Sequence, residues 1–307
     1  MLLCAGLGTR LRPLTNERPK PLVPLLGRPI AAYALDALRA VGVRSIVANT
    51  HHLGEQVQPT LTPFTDRLSM SLETLHEPVL LGTGGGIRNA LPRLGQEPFV
   101  VFNGDVLAAP DIAQALALHK ATSAQMTMIL REDPKADALG SIEVDQDGRV
   151  VRILNEGPPS QSPTRKCMFT GVYIVSPDVR DDLPENGCIV RHSLRRWLAR
   201  GDRVSAIIDD GPWFDLGTIA SYAEVTFGLL DGTIAFPSVK TQANHSRIGA
   251  VRAAPSVRIG ERCDLGDGVE LSGEGELSRV IAWDGAKLTA PARDVIVTTG
   301  GARVAIG

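Results

Sequence analysis

Short apolar runs alternate with helical patterns through the first two-thirds of the chain, and few folds accommodate that rhythm. "LLCA" (2–5) reads as a short buried strand. Pro29 opens a helix with Ile30, Ala34, Leu38 and Val41 on one face and Gly42 as its stop. "RSIVANT" (44–50) is a strand, Glu55 to Leu61 a short helix, "LSMSLETL" an alternating strand and "GIRNALPRL" a helix. "FVVFN" (99–103) is a buried strand, followed by a helix over 111–121 and the strand "AQMTMIL". This βαβαβ order predicts an α/β fold, a mostly parallel sheet with helices on both faces. Strands dominate from 139 to 175 ("SIEVD", "RVVRIL", "FTGVYIVS"), which predicts an antiparallel addition, and two more helices are expected around 188–200 and 218–230.

The period changes after about residue 240. Ile259, Leu265, Leu271 and Leu277 recur every six residues, and Val251, Val257, Cys263 and Val269 form a second series offset by two. Gly260 and Gly266 each follow a member of the first series. Neither helix nor strand has this period, whereas a hexapeptide β-helix does. The Pro and Gly of "GTIAFPSV" place a linker near Thr233–Val239. The expected domains are 1–235 and 236–307. Only a few coils fit in the tail, and short solenoids need partners or caps. The tail is therefore expected to pack on the rest of the chain or on another copy, in a homo-oligomer, most simply a dimer.

Between strand and first helix lies "GLGTRLRPLTNERPKPLVPLLGRP" (6–29), with five basic residues, one acid and five prolines. It is too basic and too interrupted for a buried strand or a regular helix. The chain as a whole has a formal net charge of −2 and 43% hydrophobic residues, so the cluster is local. A local basic cluster implies a small anionic ligand, not a nucleic-acid surface. No apolar run reaches the roughly 20 residues of a membrane span, and no signal-peptide pattern opens the sequence, so the cytosol is the expected compartment. The four cysteines are far apart and make no CxxC pair, which argues against a zinc site or a disulfide framework.

Glycine-rich turns after a first strand let backbone N–H groups approach phosphates. Leu11 stands where a dinucleotide fingerprint needs its third glycine, and no GK[ST] follows as a P-loop requires. What remains is a GxGxR turn with a second cation, Lys20, set between Pro19 and Pro21. The prolines restrict the backbone on both sides and should hold Lys20 in a fixed direction. Arg10 and Lys20 together read as a clamp for a triphosphate. "LLGTGGGIRNA" (80–90) sets Gly82, Gly84, Gly85 and Gly86 ahead of a helix, giving close backbone access to a flat or anionic group. "FVVFNGD" ends a strand on Asp105, where open α/β sheets bind ligands. Mg²⁺ is held by one or two carboxylates plus phosphate oxygens, so Asp105 is a candidate ligand. Asp215 in "GPWFDLGT" is a second, with Trp213 nearby and Gly217–Thr218 opening the next helix.

These segments in this order resemble the sugar-1-phosphate nucleotidylyltransferases, or NDP-sugar pyrophosphorylases, over residues 2 to about 230. The tail matches the left-handed β-helix that many members carry. The resemblance implies a Rossmann-like nucleotidyltransferase (GT-A-like) mixed sheet. The reaction it implies is NTP plus sugar 1-phosphate giving NDP-sugar and pyrophosphate, with Mg²⁺ required. It implies that Arg10 binds the β- and γ-phosphates, that Lys20 sits at the α-phosphate, and that Asp105 and Asp215 hold the metal. Gly6, Gly8 and Thr9 belong to the loop against the nucleotide. Gly82, Thr83 and Glu77 lie in the base and ribose region, and Gly140, Glu156, Thr170 and Gly171 match segments lining the sugar pocket.

Three departures accompany the resemblance. The sugar-phosphate Lys that many members carry is replaced by Gly157 in "NEGPP", so either Arg165 or Lys166 supplies the charge or the substrate is held differently. "TGGGI" is shared with N-acetylmuramate-1-phosphate uridylyltransferases, whereas "VIAWDGAKL" (280–288) leans towards mannose-1-phosphate guanylyltransferases. The strand before "AGLGT" is shorter than the family's usual one. Two other functions compete with the enzyme. One is a regulatory homologue that holds a nucleotide sugar and turns over poorly. The other is a bifunctional enzyme with an acyl-transferring tail, for which His245 is the tail's only histidine.

Overall fold

The computed structural model describes all 307 residues except 135, 155, 157–162 and 241–244. By contact the chain separates into two compact units that interleave along the sequence: Met1–Gly6, Ala34–Gly104 and Ala108–Trp213, and Leu7–Tyr33, Asp105–Leu107 and Phe214–Gly307.

The first unit is built on a nine-stranded mixed sheet. Its strands are β1 (Leu2–Leu3), β2 (Ser45–Thr50), β3 (Ser71–His76), β4 (Phe99–Asn103), β5 (Met126–Arg131), β6 (Ile142–Val144), β7 (Val150–Ile153), β8 (Arg165–Val175) and β9 (Val204–Ile208). β1 is flanked by β2 and β4, both parallel to it, and β3 continues the parallel set beyond β2. β8 is antiparallel to β4 and β5 over its last residues, and its first three pair with β6. The expected parallel sheet with an antiparallel addition is therefore present, and β1 is as short as expected. Strand order reverses at β1, so its carboxyl end is a topological switch point of the kind where α/β sheets bind ligands.

Helices α1 (Ile30–Ala40), α2 (Val57–Arg67), α3 (Gly82–Leu94), α4 (Ile112–Thr122), α5 (Arg195–Arg200) and α6 (Ile219–Asp231) fall where the apolar spacing predicts them. Three differ in extent, α5 being confined to Arg195–Arg200 behind a π-helical turn over Val190–Leu194. α2 runs past Leu61 and carries Pro63 inside it. α3 begins at Gly82, so its glycines lie within the helix and not ahead of it. The reason is contact: a Cβ at Gly84 would sit 2.7 Å from the Pro184 ring, and one at Gly85 2.4 Å from the Glu185 carbonyl oxygen. The glycines cost helix propensity and let the helix lie directly on the 184–187 backbone.

Apolar side chains of the strands and helices close one core around Val101, Met128, Leu130, Tyr173 and Trp197. The cysteines are all free thiols, and burial pushes the Cys167 thiol up to about 11. His119 is also buried there, with Nδ1 2.9 Å from Thr127 Oγ1 and Nε2 3.2 Å from Ser176 Oγ. Burial lowers its pKa, and the charge of Asp178 opposes this only in part. Above the unfolded value of about 6.5, both states are neutral and pH has no effect through this group. Below it the unfolded chain binds a proton that the folded chain refuses, so stability falls on acidification. The urea midpoint is expected to drop from pH 7 to pH 5.5, and to drop less steeply in His119→Gln.

In the second unit the tail's strands stack in parallel as far as Lys287–Val297, on which Arg303–Ala305 folds back antiparallel as a closing hairpin. Paired residues lie mostly 17 or 18 apart, as in Cys263 with Val280 and Val257 with Gly275. One turn of chain thus takes about three six-residue steps, which is consistent with a β-helix. Leu265, Leu271, Leu277, Cys263 and Val269 are buried in the tail's own core, with Val251, Val257 and Ile259 packed against it. Both six-residue series therefore point inward. Asp267 accepts a hydrogen bond from the Ala250 N–H at 2.8 Å, and Asp284 accepts one from the Asp267 N–H at 2.9 Å, tying successive turns together.

Candidate active site

The glycine-headed segment folds as a series of tight turns. Gly8 is left-handed (φ 59°), and its carbonyl accepts a hydrogen bond from the buried Thr15 hydroxyl at 2.9 Å. A Cβ on Gly8 would lie 2.8 Å from Thr15 Cγ2 and 3.1 Å from Lys20 Cβ, so both conformation and space demand glycine. Thr9 and Arg10 then begin a short 3₁₀ turn and are exposed. Pro19 is extended, and Lys20–Leu22 form another 3₁₀ turn closed by the Leu22 N–H to Pro19 carbonyl bond at 2.8 Å. This geometry aims the Lys20 side chain inward, where it is only 6% exposed.

The inward ammonium meets two carboxylates. Lys20 Nζ lies 3.0 Å from Asp105 Oδ2 and 3.3 Å from Asp215 Oδ1. Arg10 reaches the other oxygen of Asp215 at 3.7 Å, with 68% of its side chain open to solvent. Asp105 stands at the head of Val106–Ala108, and Asp215 ends Trp213–Asp215, the strand that pairs with it. Gly217 keeps the approach open, since a Cβ there would be 2.8 Å from an Arg10 nitrogen and 2.9 Å from the Asp215 carboxylate. Thr218 caps α6 in a reciprocal bond with Ser221, which sets the chain direction just after Asp215. Sequence reasoning passed over Thr15 and read Gly217 only as a helix opening. Only the Gly-Thr pair at the start of α6 hinted at the second.

Two carboxylates converging on one cation form a hard oxygen donor set that suits a small divalent ion completed by phosphate oxygens and water. Among the described residues there is no group of three or more His, Cys, Asp or Glu that could hold a metal by itself. Arg10 and Lys20 offer the complementary charge for an anionic ligand, one exposed and one buried.

The remaining candidates belong to the first unit. Gly6 is exposed, with nothing near the position of a Cβ. Glu77 is buried, and its oxygens accept from Asn49 Nδ2 at 2.7 Å and from the Leu81 N–H at 3.1 Å, so it fixes the entry to α3. Gly82 (φ 70°) lies against the Gly187 carbonyl, and the Thr83 hydroxyl accepts the Ile189 N–H at 3.0 Å. Thr170 and Gly171 occupy an irregularity in β8, where the register against β5 shifts. Thr170 donates to the Ile129 carbonyl at 2.6 Å and its own carbonyl accepts from Trp213 Nε1 at 2.8 Å. A Cβ on Gly171 would be 2.6 Å from Asn103 Nδ2, placing it beside the end of β4. Gly140 (φ 95°) lies against Leu154, and Glu156 is ion-paired with Arg195. Arg165 pairs with Glu132 at 3.6 Å and Lys166 with Asp137 at 3.1 Å. Gly157 lies outside the described residues.

The sheet defines an α/β protein, and in the second unit a glycine turn with Arg10 and Lys20 set against paired carboxylates has the charge to receive an anionic group. The sequence profile of one family, "Nucleotidyl transferase", matches residues 1–232, and the chain belongs to that family. It is 29% identical to the mannose-1-phosphate guanylyltransferase of Mycobacterium tuberculosis, over 94% of this chain and 81% of that one. It is 32% identical to the N-acetylmuramate alpha-1-phosphate uridylyltransferase of Neisseria meningitidis, over 73% of this chain and 95% of that one. Among solved structures, an apo UDP-glucose pyrophosphorylase superposes with a TM-score of 0.62 at 20% identity, over 76% of this chain and 98% of that one. That likeness is one of fold.

Proposed function

We propose that the protein transfers a nucleotidyl group from an NTP to a sugar 1-phosphate, releasing pyrophosphate. The observation that carries this reading is the Arg10–Lys20 pair on its glycine turn, set against Asp105 and Asp215, in a chain of the nucleotidyl transferase family. Arg10 is free to turn outward and take the β- and γ-phosphates. Lys20 lies at the α-phosphate and stabilises charge as the sugar phosphate attacks in line, so no protein nucleophile is required. Asp105 and Asp215 hold Mg²⁺, whose contribution when bound is to neutralise phosphate charge. Gly6, Gly8 and Thr9 line the phosphate loop. Gly82, Thr83 and Glu77 shape the base and ribose region, and Gly140, Glu156, Thr170 and Gly171 the sugar region.

The tail segment "VIAWDGAKL" (280–288) supports guanylyl transfer to mannose 1-phosphate, while coverage does not separate the bases: a guanylyltransferase matches over 94% of this chain and a UTP--glucose-1-phosphate uridylyltransferase over 95%. Uridylyl transfer to N-acetylmuramate 1-phosphate is the competing pair, supported by a higher identity over a shorter stretch. By motif, residues 1–235 form the catalytic domain and 236–307 a left-handed hexapeptide β-helix. The reading includes a cytoplasmic homo-oligomer. Among the described residues no helix is long and apolar enough to cross a membrane.

Pyrophosphate release tested over the four NTPs, with mannose, glucose and N-acetylmuramate 1-phosphates, decides the matter. Turnover is expected with one base and one sugar, dependent on Mg²⁺. Tight nucleotide-sugar binding without turnover would instead establish the regulatory homologue.

A further inference from the structure

We propose that Glu17 is a positioning residue through which the last hairpin of the tail holds the phosphate loop in its working shape. This rests on the reading that Arg10 and Lys20 hold phosphates. Glu17 lies between these two cations in the sequence and is half-buried. One of its carboxylate oxygens accepts the Thr298 hydroxyl, and the other accepts the Gly300 N–H at 2.9 Å. Glycine at 300 lets the carboxylate come this close, since a Cβ there would stand 2.8 Å from the Glu17 carboxyl carbon and push it aside. Arg18 adds a second attachment. Its guanidinium lies 5.4 Å from the centre of the Trp283 ring and donates to the Thr299 hydroxyl at 3.3 Å.

A third attachment enters from the other side of Lys20. Trp283 Nε1 donates to the Tyr222 hydroxyl at 3.3 Å, and that hydroxyl donates to the Pro24 carbonyl at 2.5 Å. Tyr222 is in the first turn of α6, the helix that begins just after Asp215. One indole thus sits against the residue before Pro19 and, through Tyr222, against Pro24, the two sides of the turn that buries Lys20. The loop has no long helix or strand of its own and carries five like charges, so it does not hold its shape by local bonding alone. Fixing it before the ligand arrives removes an ordering cost from binding.

The test is calorimetric titration of inorganic pyrophosphate into the full chain at 25 °C, beside thermal melts of each variant. Glu17→Ala and Thr298→Ala are each expected to weaken pyrophosphate binding about tenfold, within the loss that small misplacements cause. Glu17→Gln, which keeps an acceptor for Gly300, is expected to restore most of it. A purely structural effect would lower the melting temperature and leave the affinity of the folded protein unmoved. Wild-type affinity in Thr298→Ala, with Arg10→Ala weakened, would overturn the proposal and leave the clamp standing. This holds even if Glu17→Ala fails to fold. Unaltered binding in both Arg10→Ala and Lys20→Ala would remove the clamp, and the proposal with it.

Discussion

Lys20→Ala is expected to lower turnover by on the order of 10²–10³ while loosening NTP binding far less. The ammonium is nearly buried and sits between two carboxylates, so it is held in place before any charge develops on the substrate. A group so placed stabilises charge that builds in the transition state more than charge already present in the ground state. Removing it also leaves Asp105 and Asp215 facing each other without their shared cation. Single-turnover measurements separate the chemical step from binding, and an unchanged chemical step would take Lys20 out of the mechanism.

The second large effect concerns the carboxylates. Asp105→Asn and Asp215→Asn are each expected to cut turnover by about as much as the lysine variant. The double variant should be little worse than either single one if, as proposed, both side chains hold one ion, since they already share one lysine. Turnover measured across a Mg²⁺ titration checks this. Losses that multiply would mean that the two carboxylates do separate work.

The sheet was legible because inner strands such as β4 and β5 are buried on both faces and read as apolar runs, while the half-exposed β3 alternates, with helices between them marked by stop residues such as Gly42. The tail was legible for a different reason. Its six-residue spacing belongs to no other regular structure, and Leu265, Leu271 and Leu277 all lie inside. Arg10, Lys20, Asp105 and Asp215 stood out because charge collected in a proline-rich turn and at strand ends has no packing explanation. The glycines of "TGGGI" were harder to read. A residue without a side chain looks the same whether a ligand or the 184–187 backbone approaches it, and here Gly84 and Gly85 meet backbone and proline. Glu17 gave no signal at all. Its meaning depends on a hairpin at residues 298–300, and no local pattern reports a partner that far along the chain.

That distance has a consequence for how the protein is made. The bonds between Glu17 and Thr298, and between Glu17 and Gly300, span 281 and 283 residues. At roughly 5–20 residues per second, a ribosome needs on the order of tens of seconds to travel between them. The sheet strands from β1 to β9 have all been synthesised well before then, while the segment from Leu7 to Tyr33 must wait for its final neighbours. The nascent chain therefore has all its sheet strands before the Glu17 contacts can form, and a translation product that stops short of Thr298 lacks those attachments.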